Sequence, residues 1–180
     1  NLAGGGLFVF LGVLGFYTLP VMLYPFAITL AWLGFSWLAG DISPEYRRAF
    51  PFYLAGAALL TVILAAGLYL PVVARSGLNA LVANRWVESL TWREFTENLP
   101  VRMGVTWQIW GRGLPLQGNL LLFGSAASLL FHRRIGRTRL PVGLFVFLVL
   151  ALILPLQRVA PIAKVWLFLQ PWFLILAAAG

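Results

Sequence analysis

The stretch that decides the fold is PFYLAGAALLTVILAAGLYLPVV, residues 51–73. No charged side chain occurs from Ala49 to Ala74. An α-helix rises about 1.5 Å per residue, so a helix over this run is longer than the roughly 30 Å hydrocarbon core of a bilayer. The stretch therefore predicts a helix that crosses a membrane.

The composition extends this prediction to the rest of the chain. Charged residues make up 10% of the 180 residues and apolar residues 61%, whereas soluble domains carry roughly 25% charged residues. A soluble fold could not cover its surface with so few charges. We therefore expect an all-α fold, a polytopic transmembrane helix bundle that forms a single transmembrane domain over residues 1–180.

Apolar runs and turn signals divide the chain into about six predicted spans. Residues 1–40 carry no charge and are too long for one straight span, and Pro20 and Pro25 interrupt them. The first predicted span ends near Thr18, and the second covers Val21–Ala39. The third covers residues 49–74, and the fourth ends at His132. The last two cover residues 140–157 and 162–180. Because the sequence starts at Asn1 and stops inside an apolar run, we expect a fragment of a longer chain.

The basic residues orient the predicted spans. Two short loops, Tyr46–Arg48 and His132–Arg139, hold six arginines and are expected on the cytoplasmic side. The segment 75–113 then forms an extracytoplasmic loop. Arginines beside membrane spans account for the net charge of +8, so we expect no nucleic acid as a partner.

The segment 75–113 is predicted to form two short helices in the plane of the membrane interface. Thr91 and Glu94 have the spacing of a capping box, which predicts a helix from Trp92 to Asn98. Pro100 is expected to stop that helix. A second helix would follow, with Val101, Val105 and Ile109 on one apolar face. Such helices lie with their apolar face down and their tryptophans at headgroup depth.

Polar and aromatic side chains in this segment predict a site for a lipid with an anionic headgroup. Guanidinium groups match phosphate oxygens in bidentate geometry. Amide and carboxylate groups can bind sugar hydroxyls, and an indole of Trp86 or Trp92 can stack on a sugar. The predicted substrate-binding residues are Asn84, Arg85, Trp92, Arg93, Glu94 and Arg102, with Tyr17 and Thr18 on the same predicted side of the membrane.

A structural alternative stands beside this site. The two short helices could only connect two spans and rest on lipid, with Tyr17 and Thr18 as interfacial anchors. Elsewhere, His132 adjoins basic residues at a helix end, which favours a capping role. Ser125 has small neighbours, which favours close helix packing. The chain has no cysteine and no carboxylate inside a predicted span, and we predict neither a metal site nor a cofactor.

The order of segments resembles a known family. LGFYTLPVMLYPFAITLAWL at 14–33, NRWVESLTWREFTENLP at 84–100 and RVAPIAKVWLFLQPWF at 158–173 together resemble the C-terminal part of bacterial membrane glycosyltransferases of the GT-C fold. The similar group is glycosyltransferase family 39-like, which includes protein O-mannosyltransferases and lipid A aminoarabinose transferases.

The resemblance implies a membrane-bound activity. Such enzymes move a sugar from a polyprenyl-phosphate carrier to a protein, lipid or glycan at the outer face of the bacterial cytoplasmic membrane. Their catalytic aspartate lies in the first outer loop, whereas this sequence has no acidic residue before Asp41. The resemblance therefore implies that the rest of the same chain supplies catalysis, and no catalytic residue is assigned here.

Two other classes of function stay open from the sequence. A transporter or flippase of a lipid-linked anion would use the same arginines, although it would need a second site facing the cytoplasm. A non-catalytic membrane subunit would need no catalytic carboxylate at all.

Overall fold

A computed structural model describes residues 2–18, 20–77, 89–112, 115–136 and 138–179. Helices make up 83% of the structure and the described ranges contain no strand, which confirms the all-α prediction. The helices are α1 (Leu2–Thr18), α2 (Leu23–Leu38), α3 (Pro44–Arg47), α4 (Phe50–Ser76), α5 (Trp92–Trp110), α6 (Pro115–Leu130), α7 (His132–Ile135), α8 (Val142–Gln157) and α9 (Leu169–Ala179), with 3-10 turns at Pro20–Met22 and Val165–Phe168.

Prolines mark several helix starts. Pro25, Pro51 and Pro171 lie in the first turns of α2, α4 and α9. A first-turn N–H has no acceptor within its own helix, so the donor that proline lacks is not missed there. The break predicted near Pro20 is confirmed, because a 3-10 turn at Pro20–Met22 separates α1 from α2.

Among the described helices, α4 alone has the length and hydropathy of a membrane span. It contains 27 residues, which corresponds to about 40 Å. Only 11% of its most apolar window is buried against the protein, unlike the core helix of a soluble fold. The other apolar helices (α1, α2, α6, α8 and the stretch Val165–Ala179) are shorter.

Two predicted boundaries are corrected. The outer loop was expected to begin at Arg75, but α4 continues through Arg75 to Ser76. The two short helices expected on either side of Pro100 are one continuous helix, α5, with Pro100 in its interior. Because Pro100 has no N–H, the carbonyl of Thr96 loses its helical donor. Both residues lie on the exposed side of α5, so solvent can satisfy that carbonyl.

The chain divides into two compact units, Asn1–Asn84 and Arg85–Gly180. In the first unit, α4 packs against α1 and α2 along a narrow stripe of Thr61, Ala65 and Tyr69. Gly12 of α1 lies so close that an added Cβ would stand 2.9 Å from Cγ2 of Thr61. The Tyr69 hydroxyl donates to the carbonyl of Phe16 over 2.6 Å, which joins the ends of α1 and α4.

In the second unit, small residues bring α6 and α9 together. A Cβ added to Gly124 would stand 2.6 Å from the carbonyl oxygen of Ala177. The Ser125 hydroxyl donates to the carbonyl of Phe173 over 3.3 Å, and Ser128 is also buried. The close helix packing predicted at Ser125 is therefore confirmed.

Candidate functional site

The start of α5 is fixed by the predicted capping box, which is confirmed. The Thr91 hydroxyl accepts from the Glu94 backbone N–H at 3.3 Å. Glu94 Oε2 accepts from the Thr91 backbone N–H at 2.9 Å and from its hydroxyl at 2.8 Å. The backbone donor, followed by the hydroxyl, holds the pKa of the Glu94 carboxyl below its ordinary value, because both donors stabilise the charged form. Thr91 and Glu94 together thus cap the start of α5.

One stripe of α5 packs against the protein. Phe95 is 5% exposed and Thr106 is also buried, with the half-buried side chains of Leu99 and Arg102 between them. At about 100° per residue these four positions share one side of the helix. The predicted apolar face of Val101, Val105 and Ile109 remains exposed. In the second half of α5, the face that contacts its own chain is therefore distinct from the one predicted to contact lipid, whereas in the first half the predicted apolar residues Phe95 and Leu99 belong to the buried stripe.

The buried stripe faces a short connection between α8 and the last helices. Its residues Val159, Ala160 and Pro161 are buried. The Arg102 guanidinium donates from Nη1 to the carbonyl of Ala160. Because that carbonyl belongs to a buried backbone segment, the bond fixes the direction in which the Arg102 side chain extends.

Further hydrogen bonds hold this connection in place. Arg158 adopts a left-handed backbone conformation (φ 49°) just after α8. Its carbonyl accepts from the Leu90 N–H at 2.9 Å, and the Ser89 hydroxyl donates to the carbonyl of Gln157 over 3.1 Å. The indole N–H of Trp166 donates to the carbonyl of Pro161 over 3.0 Å. The residues before α5 and the residues after α8 therefore form one local framework.

Arg93 lies on the other side of α5 from Arg102. Nine residues separate them, which is about 180° around the helix and about 13 Å along its axis. The Arg93 Nε donates to Glu97 Oε1 over 3.0 Å, and both side chains are well exposed. The predicted arginines of α5 therefore do not converge on one point of the described structure.

The remaining predicted residues fall in different places. Trp92 is 58% exposed and meets Phe95 edge to face. Tyr17 and Thr18 belong to the first unit, where the Thr18 hydroxyl donates to the carbonyl of Leu14 over 2.9 Å. The Tyr17 ring lies 6.0 Å from the ring of Tyr69.

Three residues of interest lie outside the described part of the chain. They are the predicted Asn84 and Arg85, and the alternative stacking residue Trp86.

The structure adds two cations that the sequence prediction missed. Arg158 and Lys164 are exposed at the two ends of the buried connection that holds Arg102. The sequence did contain a signal for them, because the turn LQRVAPIAK was predicted on the same side of the membrane as segment 75–113. What it lacked was the hydrogen bond from Arg102 to Ala160, which joins segments that are 58 residues apart.

Comparison with known proteins provides no relative. No family model matches the chain, and no curated protein or solved structure matches it.

Proposed function

We propose that this chain is part of a membrane glycosyltransferase, and that the surface around Arg102 binds the phosphate of a polyprenyl-phosphate-linked sugar. The proposal includes a multi-pass arrangement of about six spans in the bacterial cytoplasmic membrane, formed by α1, α2, α4, α6, α8 and the final stretch through α9. Large exposed apolar side chains on these helices, such as Phe52, Phe123 and Leu130, support contact with lipid.

The observation that carries the proposal is the setting of Arg102. Its guanidinium is half-buried and oriented by a backbone carbonyl. A guanidinium has further donors in a planar fork that suits phosphate oxygens. Arg158 and Lys164, at the ends of the same connection, add positive charge. No Asp or Glu follows Glu97 in the sequence, so an anion bound near the connection would meet no carboxylate from that part of the chain.

Other predicted residues take supporting roles in the proposal. The exposed indole of Trp92 offers a flat surface for a sugar, and Arg85 and Asn84 remain candidates for the same headgroup. Arg93 is paired with Glu97, so it would offer donors to the headgroup only when that exposed pair opens. Glu94 would keep its capping bonds, which hold the first turn of α5 in place. The catalytic carboxylate would come from the rest of the same chain.

Binding of an isoprenoid phosphate tests the proposal directly. The purified protein in nonionic detergent would be titrated with geranylgeranyl phosphate and, separately, with geranylgeraniol, which lacks the phosphate. Arg102→Lys keeps a positive charge and a donor for Ala160 but loses the bidentate fork. A charged hydrogen bond contributes roughly 1.5–3 kcal/mol, so we expect phosphate binding to weaken by about tenfold or more, with binding of the alcohol unchanged.

Arg112→Lys is the matched control, because Arg112 is exposed and lies at the end of the same segment. It should leave both affinities as they are. If Arg102→Lys binds the phosphate as tightly as wild type does, Arg102 only supports the fold and the proposed phosphate site is wrong. Phosphate binding with no sugar transfer by the full-length protein in membranes would instead favour a non-catalytic subunit.

A further inference from the structure

Hydrogen bonds hold the described residues of the basic loop (Phe131–Leu140), which are 131–136 and 138–140. The backbone N–H of Gly136 closes α7 by donating to the carbonyl of His132 over 2.6 Å. The His132 ring lies directly beside Gly136, where an added Cβ would stand 2.5 Å from ring atom Cε1. The ring Nε2 is 2.9 Å from the carbonyl oxygen of Thr138. Any side chain at 136 would require this ring to move, so the present position of the His132 ring depends on the glycine.

The fixed loop surrounds an open pocket of about 460 Å³. Its lining residues are Arg133, Gly136, Thr138 and Arg139. The neighbouring Arg134 does not line the pocket. Its guanidinium lies over the Phe131 ring, 5.8 Å from the ring centre. Of the arginines that the structure describes in this loop, two therefore line the pocket and a third packs on an aromatic ring.

The described residues that line the pocket include two arginines and no carboxylate. The loop contains no Asp or Glu, and none follows Glu97 anywhere in the sequence. Arginine is the side chain best suited to bind phosphate oxygens through paired N–H groups. The His132 ring and the Thr138 hydroxyl, which donates to the carbonyl of Leu140 over 3.2 Å, hold the pocket wall in place.

The surroundings of the pocket point to a lipid as the source of that anion. The loop joins the end of α6 to the start of α8, two strongly apolar helices. Leu130 is 80% exposed at the end of α6, and Phe131 and Leu144 are exposed nearby. A ligand at this position would meet cations at the helix ends and apolar side chains beyond them. Basic residues at the end of a membrane helix bind anionic lipid headgroups in this way.

We propose that the pocket of the basic loop binds the phosphodiester headgroup of an anionic membrane lipid. The site is separate from the one proposed around Arg102 and does not depend on the glycosyltransferase activity. Arg133 and Arg139 contact the phosphate oxygens, Gly136 and Thr138 form the wall, and the acyl chains lie along the exposed ends of α6 and α8.

Lipid titrations of the purified protein in nonionic detergent test this proposal. The probes are dioctanoyl phosphatidylglycerol, zwitterionic dioctanoyl phosphatidylcholine and inorganic phosphate, with binding followed by native mass spectrometry and calorimetry. Wild type is expected to prefer phosphatidylglycerol over phosphatidylcholine. Arg133→Gln should weaken that binding by about tenfold, because a charged hydrogen bond is lost, and Arg133→Gln with Arg139→Gln should abolish the preference.

Arg134→Gln is the matched control, since it removes the same charge from the next residue outside the pocket lining. Binding within about twofold of wild type is expected for it, a difference of under roughly 0.5 kcal/mol. Equal losses from Arg133→Gln and Arg134→Gln would overturn the proposal, because they would show attraction to net charge alone. Inorganic phosphate bound as tightly as phosphatidylglycerol would overturn the lipid as the source of the anion.

Gly136→Ala tests the shape of the pocket without removing a charge. The new methyl group must displace the His132 ring, so we expect the phosphatidylglycerol preference to fall although both arginines remain. Circular dichroism and thermal unfolding show whether the variant keeps its helices. A folded Gly136→Ala protein with wild-type lipid preference would contradict a defined headgroup pocket.

Discussion

Helices α4 and α5 both contain an interior proline, Pro71 and Pro100, but their surroundings differ. Helix α4 fully buries only Thr61 and Ala65 and exposes many large apolar side chains. Helix α5 has a capping box at its start and a buried stripe centred on Phe95 and Arg102, with charges opposite. The first helix therefore has the length and exposed apolar surface of a membrane span, whereas the second is held by specific contacts within the protein.

This difference shows how each helix tolerates its proline. An interior proline costs roughly 3 kcal/mol relative to alanine. In α5, Phe95 packs before Pro100, and Arg102 and Thr106 are anchored after it, so both halves are held in line. In α4, the carbonyl left without a donor belongs to Gly67, and both Gly67 and Pro71 lie on the exposed side of the helix. Contacts on both sides of Pro100 hold α5 together, whereas the missing hydrogen bond of α4 falls on an exposed side of a long helix.

The largest expected effect comes from truncating the buried anchor of α5. Phe95→Ala should lower the free energy of unfolding of the second unit by about 3–5 kcal/mol, because a buried aromatic side chain leaves a cavity. Phe52→Ala in α4 is the matched control, since Phe52 is 79% exposed. It should change stability by less than about 0.5 kcal/mol. Denaturant unfolding in detergent, followed by tryptophan fluorescence and circular dichroism, measures both.

Similar losses from the two phenylalanine variants would remove the contrast between a helix held by protein and one held by lipid. They would mean that Phe52 is also packed against protein in the membrane.

A smaller effect is expected from adding one methyl group to a helix surface. Gly124→Ala places its Cβ against the backbone of Ala177, so it should destabilise the second unit by about 1–3 kcal/mol through overpacking. Gly56→Ala in α4 meets nothing within 4 Å. It should stabilise its helix by about 0.5–1 kcal/mol, because alanine favours helix over glycine. Thermal unfolding of both variants checks whether their effects have opposite signs, and a stabilising Gly124→Ala would contradict the close approach of α6 and α9.

The smallest effect concerns the start of α5. Thr91→Ala removes the capping hydroxyl and should cost about 1 kcal/mol. The pKa of the Glu94 carboxyl should rise towards its ordinary value but stay below it, because the backbone bond remains. A lowered carboxyl pKa adds stability that is present above the unfolded-state value of 4.5 and is lost as the pH falls through the folded-state value. NMR titration of the Glu94 carboxyl measures the change.

The α4 control for this prediction is Ser76→Ala at the last residue of that helix. Ser76 makes no capping bond to any residue that the structure describes, so the change should leave stability within about 0.5 kcal/mol. An unchanged Glu94 titration in Thr91→Ala would show that the capping box does not form in solution.

The sequence by itself determined the helical content, the apolar segments and the start of α5. These features depend on local chemistry: runs of apolar residues, prolines near helix starts, and the spacing of Thr91 and Glu94. The same local reasoning wrongly predicted that a helix ends at Pro100. The cost of a proline in a helix can be read from the sequence, but the packing of Phe95 and Arg102, which holds the helix together on either side of it, cannot.

Only the tertiary structure decided how the candidate residues are grouped. It joined Arg102 to the connection that carries Arg158 and Lys164, and it placed Gly124 of α6 against the backbone of Ala177 in α9. Such groupings depend on which distant backbone carbonyl or glycine a side chain meets after folding. Sequence spacing cannot supply them, since a hydrogen bond across 58 residues has no local periodicity.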